Sequence, residues 1–281
     1  MTRLAPAILL LPAVTAFLVL FACPLLVLAW ESVQRFSLTG TGGGVTAANY
    51  LRLLTDTYYL RMLGETFKLA TLVSLLCLVF GYPVAWCLRL APRRVQGLLL
   101  LGLLAPLLVS VVVRSFGWVV ILGEFGLLNA MLSSLGATQA GGRTHLFTEA
   151  AVLAGLVHVF FPFMVLALFG SLQKLDLQLL RAARNLGANR WQAFLAVLPL
   201  TLPGMVAGVT TVFALTTGAY VTVAVLGGTG VRVLAVVAYE HAISGMNWPF
   251  GAAIGVVLLV STAGLLRLFQ ELVARAWRMP A

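Results

Sequence analysis

Residues 149–171 read EAAVLAGLVHVFFPFMVLALFGS, and the polar segment that follows contains LRAARNLGA at residues 180–188. The first stretch is apolar apart from Glu149, His158 and Ser171. About 20 such residues are enough to cross the hydrocarbon core of a bilayer as a helix. The second stretch carries charge and lies between two long apolar runs. This alternation predicts a membrane helix, a polar connection outside the bilayer, and another membrane helix.

The composition of the whole chain agrees with a membrane protein. Of its 281 residues, 61% are hydrophobic and only 9% are charged, whereas soluble domains carry about 25% charged residues. We predict an all-α integral membrane fold in one domain spanning residues 1–281. The six predicted transmembrane spans cover about residues 5–30, 66–88, 97–122, 149–171, 203–226 and 249–269, and residues 173–199 form the polar connection.

The first span has an alternative interpretation as a cleaved signal peptide. Its apolar run continues through Cys23 to Trp30, which is longer than the 7–15-residue apolar core of a signal. We therefore expect a retained helix. The three cysteines, Cys23, Cys77 and Cys87, all lie inside apolar runs and match no disulfide, zinc or redox spacing.

Basic residues set the predicted orientation. With the amino terminus in the cytoplasm, eleven of the 18 basic residues and two of the eight acidic residues lie inside. Short cytoplasmic loops favour Lys and Arg, so both termini are predicted to be cytoplasmic. The same bias explains the net charge of +10 without nucleic-acid binding. The inside residues are Arg3, Arg89, Arg93, Arg94, Lys174, Asp176, Arg181, Arg184, Arg190, Arg267, Glu271, Arg275 and Arg278.

The outer connections are less regular. Residues 40–44 read GTGGG, a composition typical of flexible linkers. Residues 49–54 and 58–60 mix aromatic, apolar and basic side chains, which fits a short interfacial helix or an ordered loop. Residues 227–248 form a loop or a re-entrant segment.

The connection at residues 173–199 predicts two helices that meet at an elbow. Asp176 is placed to cap a helix over residues 177–186. Gly187 follows where a helix ends in a left-handed turn, which glycine adopts without steric cost. A second helix starts near Asn189 and runs through Trp191 and Phe194. Such an elbow suits docking of a cytoplasmic partner, and an ordinary amphipathic loop is the alternative.

This connection resembles the EAA loop of binding-protein-dependent ABC permeases, through which an ATPase drives the membrane helices. The shared residues are Ala182, Ala183, Gly187 and the Leu198–Pro199 pair. The chain departs from the pattern at Arg181, which replaces the usual Glu, and the gap from Gly187 to Pro199 is one residue shorter. The resemblance implies that the ATPase-coupling residues are Arg181, Ala182, Ala183, Arg184, Leu186, Gly187, Asn189 and Arg190.

Other segments resemble the permeases of spermidine/putrescine importers in the same order along residues 48–270. They are Asn49–Tyr50, GYPVAW at residues 81–86, Arg114, FPFM at residues 161–164, LGG at residues 226–228 and NWPFGAA at residues 247–253. The resemblance implies a polyamine solute, or another small organic solute such as an amino-acid derivative or opine. It also implies a second permease, a cytoplasmic ATPase dimer, an extracytoplasmic binding protein and the bacterial inner membrane.

Nucleotide hydrolysis is not expected in this chain. A Walker A motif needs a Lys followed by Ser or Thr, and the only lysines, Lys68 and Lys174, are each followed by Leu. We therefore expect no catalytic residue, no metal site and no cofactor here, with ATP and Mg bound by the partner ATPase.

Few polar residues interrupt the spans, and these are the candidates for the solute pathway. Arg114 either lines the pathway or forms an ion pair with Glu124 or Glu149, because a charge in the bilayer needs a polar partner. His158 is either a ligand contact or a packing residue. The hydroxyls near Thr217 serve solute contact or helix packing. The full candidate set is Arg114, Glu124, His158, Thr217, Tyr220 and Trp248.

Trp248 is either an interfacial anchor or a gate residue. An ion-coupled secondary transporter is the competing class. It needs carboxylates within its spans, whereas the acidic residues here fall at span ends and in loops.

Overall fold

The computed structural model describes residues 11–12, 14–37, 44–135 and 145–278. The start of the predicted first span at Ala5 and the glycine-rich residues 40–43 lie outside this part. So does the side chain of Arg190.

Helices account for nearly all of the described chain. They are α1 (Val14–Ser32), α2 (Ala48–Thr55), α3 (Thr57–Leu90), α4 (Arg93–Leu104), α5 (Val111–Leu122), α6 (Leu127–Ser134), α7 (Glu149–Gln173), α8 (Gln178–Asn185), α9 (Arg190–Val197), α10 (Leu202–Thr217), α11 (Val221–Gly227), α12 (Leu234–Tyr239) and α13 (Trp248–Arg278).

Within the described residues, six segments are long and apolar enough to cross a membrane, which confirms the predicted number of spans. They are Val14–Ser32, Thr57–Leu90, Val111–Ser134, Glu149–Gln173, Trp191–Thr217 and Trp248–Ala276. The all-α prediction is also confirmed, because the described residues contain no strand beyond an isolated bridge between Gln34 and Val45.

The third predicted span differs most from the structure. Residues 97–122 do not form one helix, because a 3₁₀ turn at Ala105–Leu108 and extended backbone at Val109 separate α4 from α5. Pro106 has no N–H to continue the α-helical ladder. The segment that meets the spanning criteria is Val111–Ser134 instead.

Two other boundaries also moved. The fifth predicted span, 203–226, is divided at Gly218, where α10 ends before α11 begins. The predicted short helix near residues 49–54 is α2, but residues 58–60 belong to the first turn of α3. The connection at 227–248 holds α12 and a π-helical turn at Glu240–Ser244.

The chain divides into two compact units. The first comprises residues 1–63 and 234–263, and the second comprises residues 64–233 and 264–281. In the first unit, Leu53, Tyr59, Phe250 and Ile254 belong to one buried cluster. The guanidinium of Arg52 lies 4.7 Å from the centre of the Phe250 ring, in a cation–π contact that fixes α2 on this cluster.

Close packing of α7 against α10 organises the second unit. Gly204 and Gly208 are four residues apart on α10, so they lie on one face of the helix. A Cβ atom added at Gly204 would collide with Ser171, and one at Gly208 would lie 2.5 Å from Sδ of Met164. Small residues at this spacing let membrane helices approach closely.

Candidate coupling elbow and solute pathway

The polar connection forms the predicted pair of helices. α8 carries Arg181, Ala182, Ala183 and Arg184, and Oδ1 of Asp176 accepts a hydrogen bond from N–H of Gln178 at 2.8 Å. The predicted N-cap role of Asp176 is wrong, because the helix begins one residue later with Leu177 at the N-cap; Asp176 lies just before the helix and accepts from its first residue. A side-chain acceptor at this position satisfies a backbone donor that the helix leaves unpaired.

The turn between the two helices is a Schellman motif. Gly187 has φ of +91° in the left-handed region, as the sequence predicts. Its N–H donates to the carbonyl of Arg184 at 3.0 Å, and N–H of Ala188 donates to the carbonyl of Ala183 at 3.1 Å. These two bonds satisfy the last carbonyls of α8. The elbow is therefore encoded by its own local sequence.

Asn189 starts the second helix with a capping box. Its Oδ1 accepts from N–H of Gln192 at 2.8 Å, and N–H of Asn189 donates to Oε1 of Gln192 at 2.9 Å. Such a cap contributes about 1 kcal/mol to helix stability. Arg190 follows as the first residue of α9.

The tip of the elbow exposes apolar and basic side chains together. Leu186, the residue before the left-handed turn, is 89% exposed, and Trp191 is 65% exposed. Arg181 and Arg184 are also exposed. Large exposed apolar side chains rimmed by charge mark surfaces that dock a partner.

Side chains from the end of α3 hold the elbow in place. Phe194 of α9 packs edge-on against Tyr82 and Trp86, with ring centres 5.6 and 5.4 Å apart. The guanidinium of Arg89 donates to the carbonyls of Leu172 at 2.9 Å and Leu175 at 3.2 Å. These contacts attach the elbow to two membrane helices, α3 and α7.

The sequence does not predict this anchoring role for Arg89 or Phe194, and for Arg89 it predicts only a cytoplasmic charge. The single available signal was a basic residue at the end of a span, which does not tell which carbonyls it will bind.

Among the pathway candidates, Arg114 is the most unusual. Its Nε and Nη1 are buried and have no hydrogen-bond partner in the described part of the chain. The predicted ion pair with Glu149 is wrong, because Oε2 of Glu149 lies 2.9 Å from Nζ of Lys68. The ion pair with Glu124 is also absent from the described residues. Glu124 is exposed beyond the end of α5, about 15 Å along the chain from Arg114 at 1.5 Å per residue.

His158 lies in a defined polar contact. Nε1 of Trp118 donates to Nδ1 of His158 at 3.2 Å. Because the indole N–H is only a donor, Nδ1 must carry no proton, and the ring is the neutral tautomer with its proton on Nε2. Arg114 and Trp118 are one turn apart on α5, which places Arg114 close to the Trp118–His158 contact.

The remaining candidates lie at helix ends. Thr217 is the last residue of α10, and its buried hydroxyl donates to the carbonyl of Ala214 at 2.8 Å. Tyr220 precedes α11, so both flank the break in the fifth span. Trp248 is the first residue of α13 and belongs to the other unit. The structure thus places Arg114 near His158, and Thr217 near Tyr220 along the chain.

Comparisons with known proteins agree with the class that these features define, a membrane permease subunit. Residues 77–279 match the model of the family described as binding-protein-dependent transport system inner membrane component. The chain belongs to this family, and its members of known role are transport subunits of ABC importers rather than enzymes.

Two relatives are more than one-third identical to this chain over the aligned residues. The spermidine/putrescine transport system permease protein PotB of Escherichia coli (strain K12) is 38% identical over 216 residues, covering 76% of this chain and 78% of the relative. PotB of Haemophilus influenzae is 35% identical over 248 residues, covering 88% of this chain and 86% of the relative.

A solved structure confirms the fold. A chain of a bacterial alginate ABC transporter, crystallised with an alginate pentasaccharide-bound periplasmic protein, superposes with a TM-score of 0.74 at 16% identity. The match covers 99% of this chain and 96% of the other.

Proposed function

We propose that this chain forms half of the translocation pathway of an ATP-driven importer whose solute is a polyamine such as spermidine or putrescine. The observation that carries the coupling mechanism is the elbow at Gly187, with its Schellman turn and capping box. The solute class is supported by the names of the relatives in Escherichia coli and Haemophilus influenzae.

The chain spans the bacterial inner membrane with both termini in the cytoplasm. The excess of basic residues on one side supports this orientation. It places the elbow at 173–199 in the cytoplasm, where a partner ATPase dimer binds it. ATP and Mg are held by that ATPase, and this chain binds no cofactor.

The exposed residues of the elbow have distinct roles in docking. Ala182 and Ala183 allow a partner surface to approach closely, and Leu186 supplies an apolar contact. Arg181 and Arg184 favour acidic groups on that surface, and Arg190 is a further basic residue in the same segment of the sequence. Because Phe194 and Arg89 attach the elbow to membrane helices, closure of the ATPase dimer moves those helices as rigid bodies.

A second permease, related to this chain but different from it, completes the pathway. A periplasmic or extracellular binding protein delivers the solute and supplies most of the selectivity. Ammonium groups leaving water need oxygen acceptors or aromatic faces. In this chain Thr217, Tyr220 and Trp248 can offer them, and the second permease supplies the rest.

A solute with an anionic group is the second candidate. Nε and Nη1 of Arg114 are buried donors without a partner among the described residues. Such donors attract a carboxylate or phosphonate, whereas they repel an ammonium group.

The test is ATPase stimulation in a reconstituted complex of both permeases, the ATPase and the cognate binding protein. Putrescine and spermidine are expected to stimulate hydrolysis, and zwitterionic or anionic solutes of similar size are not. Stimulation only by an anionic or zwitterionic solute would refute the polyamine assignment and leave the permease assignment intact.

A further inference from the structure

A pocket of about 300 Å³ lies within the first unit, where α1 ends and α13 begins. Three aromatic rings line it: Trp30, Phe36 and Trp248. The acidic residue Glu31 and the basic residue Arg35 also line it. Both tryptophans are more than half exposed.

These groups have the chemistry that recognises an ammonium ion. Aromatic faces attract cations through the ring quadrupole, and a carboxylate accepts charge-assisted hydrogen bonds from N–H donors. In the described part of the chain the carboxylate of Glu31 forms no ion pair, because the salt bridges found there involve Glu65, Glu149 and Glu271. Glu31 is therefore available to an external cation.

An apolar groove of about 540 Å³ adjoins this pocket in the same unit. Pro24, Val27 and Leu28 of α1 form one wall, and residues between 238 and 252 form the other. Glu31 and Trp248 line both the groove and the pocket. Glu31 and Trp248 thus lie where the pocket meets the apolar groove.

The turn that presents Trp248 is strained. Met246 has φ of +54°, which is uncommon for a residue other than Gly, Asn or Asp. N–H of Asn247 donates to the carbonyl of His241 at 2.8 Å and holds this turn closed. Strained backbone persists where the surrounding structure enforces it, and it clusters at ligand sites.

We propose that this pocket and groove bind a linear aliphatic amine that carries at least two ammonium groups separated by methylenes. One ammonium group binds Glu31 between the aromatic rings, and the methylene chain lies in the groove beside Val27. This assignment rests on the proposed function and deepens it, because it gives the chain its own amine-recognition site outside the elbow and the residues of the fifth span.

The geometry also argues against a simple membrane anchor. Tryptophans of an interfacial belt contact headgroups and need no carboxylate partner. Here two tryptophans share one concave site with Glu31. Arg35 is the opposing group, since its charge competes with a bound ammonium. We therefore expect removal of the Glu31 charge to lower the affinity for the amine and removal of the Arg35 charge to raise it.

The experiment measures uptake of putrescine and spermidine by the complete importer in proteoliposomes. Glu31→Gln is expected to raise KM for both amines by about tenfold or more, from loss of a charge-assisted bond. Trp248→Leu should raise it about threefold, and Arg35→Gln should lower it. Glu271→Gln, an exposed carboxylate of the second unit, is the matched control and should leave KM unchanged.

Thermal unfolding of each purified complex identifies variants that only fail to fold, and Glu31→Asp, which keeps the charge, should recover part of the lost affinity.

The wild-type complex separates the amine site from the proposed function. If it imports these amines and Glu31→Gln and Arg35→Gln have wild-type KM values, the site is refuted and the proposed function stands. If the wild-type complex imports neither amine, both are refuted. An anionic solute whose KM rises with Arg35→Gln would also overturn the amine site.

Discussion

Nζ of Lys68 lies 2.9 Å from Oε2 of Glu149 and joins the middle of α3 to the first turn of α7. The same ammonium group lies 3.3 Å from Oε2 of Glu65. A carboxylate near a helix N-terminus also interacts favourably with the helix dipole. This pairing removes Glu149 as a partner for Arg114.

Lys68→Met tests how much this ion pair contributes to stability. Both side chains are about half exposed, at 49% and 42%, and exposed ion pairs contribute little. We expect the apparent unfolding temperature of the purified complex to fall by less than about 4 °C. A double-mutant cycle with Glu149→Gln isolates the pair. A much larger loss would indicate that the pair is shielded from water in the assembled importer.

Topology is testable by cysteine accessibility. In a variant lacking Cys23, Cys77 and Cys87, a cysteine at exposed Thr229 or Val45 should react with a membrane-impermeant maleimide added to intact spheroplasts. A cysteine at exposed Arg93 or Leu186 should react only after the membrane is opened. Reaction at residue 186 in intact spheroplasts would overturn both the orientation and the docking role of the elbow.

The sequence predicted six spans because each apolar run is long enough to cross a bilayer. It was a poorer guide to where the helix is interrupted within a span. A proline alone does not tell whether a helix continues, as it does through Pro162 within α7, or ends, as α4 does near Pro106. That choice depends on whether neighbouring helices satisfy the freed backbone groups.

The elbow was predictable for a similar reason, since Gly187 and Asn189 act on their own neighbours in the chain. Contacts between segments that are distant in the sequence could not be predicted in this way. The pairing of Lys68 with Glu149 and the packing of Phe194 on Trp86 depend on how helices pack. The four-residue spacing of Gly204 and Gly208 is a sequence signal for close helix packing, but it does not tell which helix packs there.

Gly204→Ala should destabilise the protein more than Gly208→Ala does. An added Cβ at Gly204 meets Ser171 and the backbone carbonyl of Ala167 at 3.0 Å, and these atoms cannot move without shifting a helix. At Gly208 it meets Sδ of Met164, a flexible side chain that can adjust. We expect a loss of about 1–3 kcal/mol at Gly204 and a smaller loss at Gly208.

Unfolding of the purified complex in denaturing detergent measures both changes. Gly102→Ala is the control, because an added Cβ there meets nothing within 4 Å. Its effect is expected to be neutral or slightly stabilising in a helix. No loss at either residue 204 or residue 208 would contradict the close approach of α10 to α7, and equal losses would show that Met164 does not adjust.

Charge reversal at the elbow tests the chemistry of the partner surface. Arg184 is exposed on the last turn of α8. If the ATPase presents acidic groups there, Arg184→Glu should reduce co-purification of the ATPase and make its binding less sensitive to salt. Arg275→Glu, an exposed arginine on α13, is the matched control. Normal ATPase recovery with Arg184→Glu would show that this arginine does not contact the partner.

Gly187→Val should uncouple transport from ATP hydrolysis. Gly187 has φ of +91°, and a Cβ added to it meets nothing within 4 Å. Any effect must therefore come from backbone conformation rather than from a collision. A β-branched residue strongly disfavours positive φ, so the Schellman turn should open and the elbow should lose its angle. Uptake into proteoliposomes and ATPase recovery are measured on the same preparation.

A graded series makes this prediction specific. Asn tolerates the left-handed region better than other residues with a side chain, so Gly187→Asn should retain more uptake than Gly187→Val. Gly97→Val provides the matched control, because an added Cβ there also meets nothing within 4 Å and the backbone of α4 is ordinary helix. It should transport nearly as well as the wild type. Full uptake by Gly187→Val would refute the role of the left-handed turn, because a residue that disfavours positive φ would then be tolerated there.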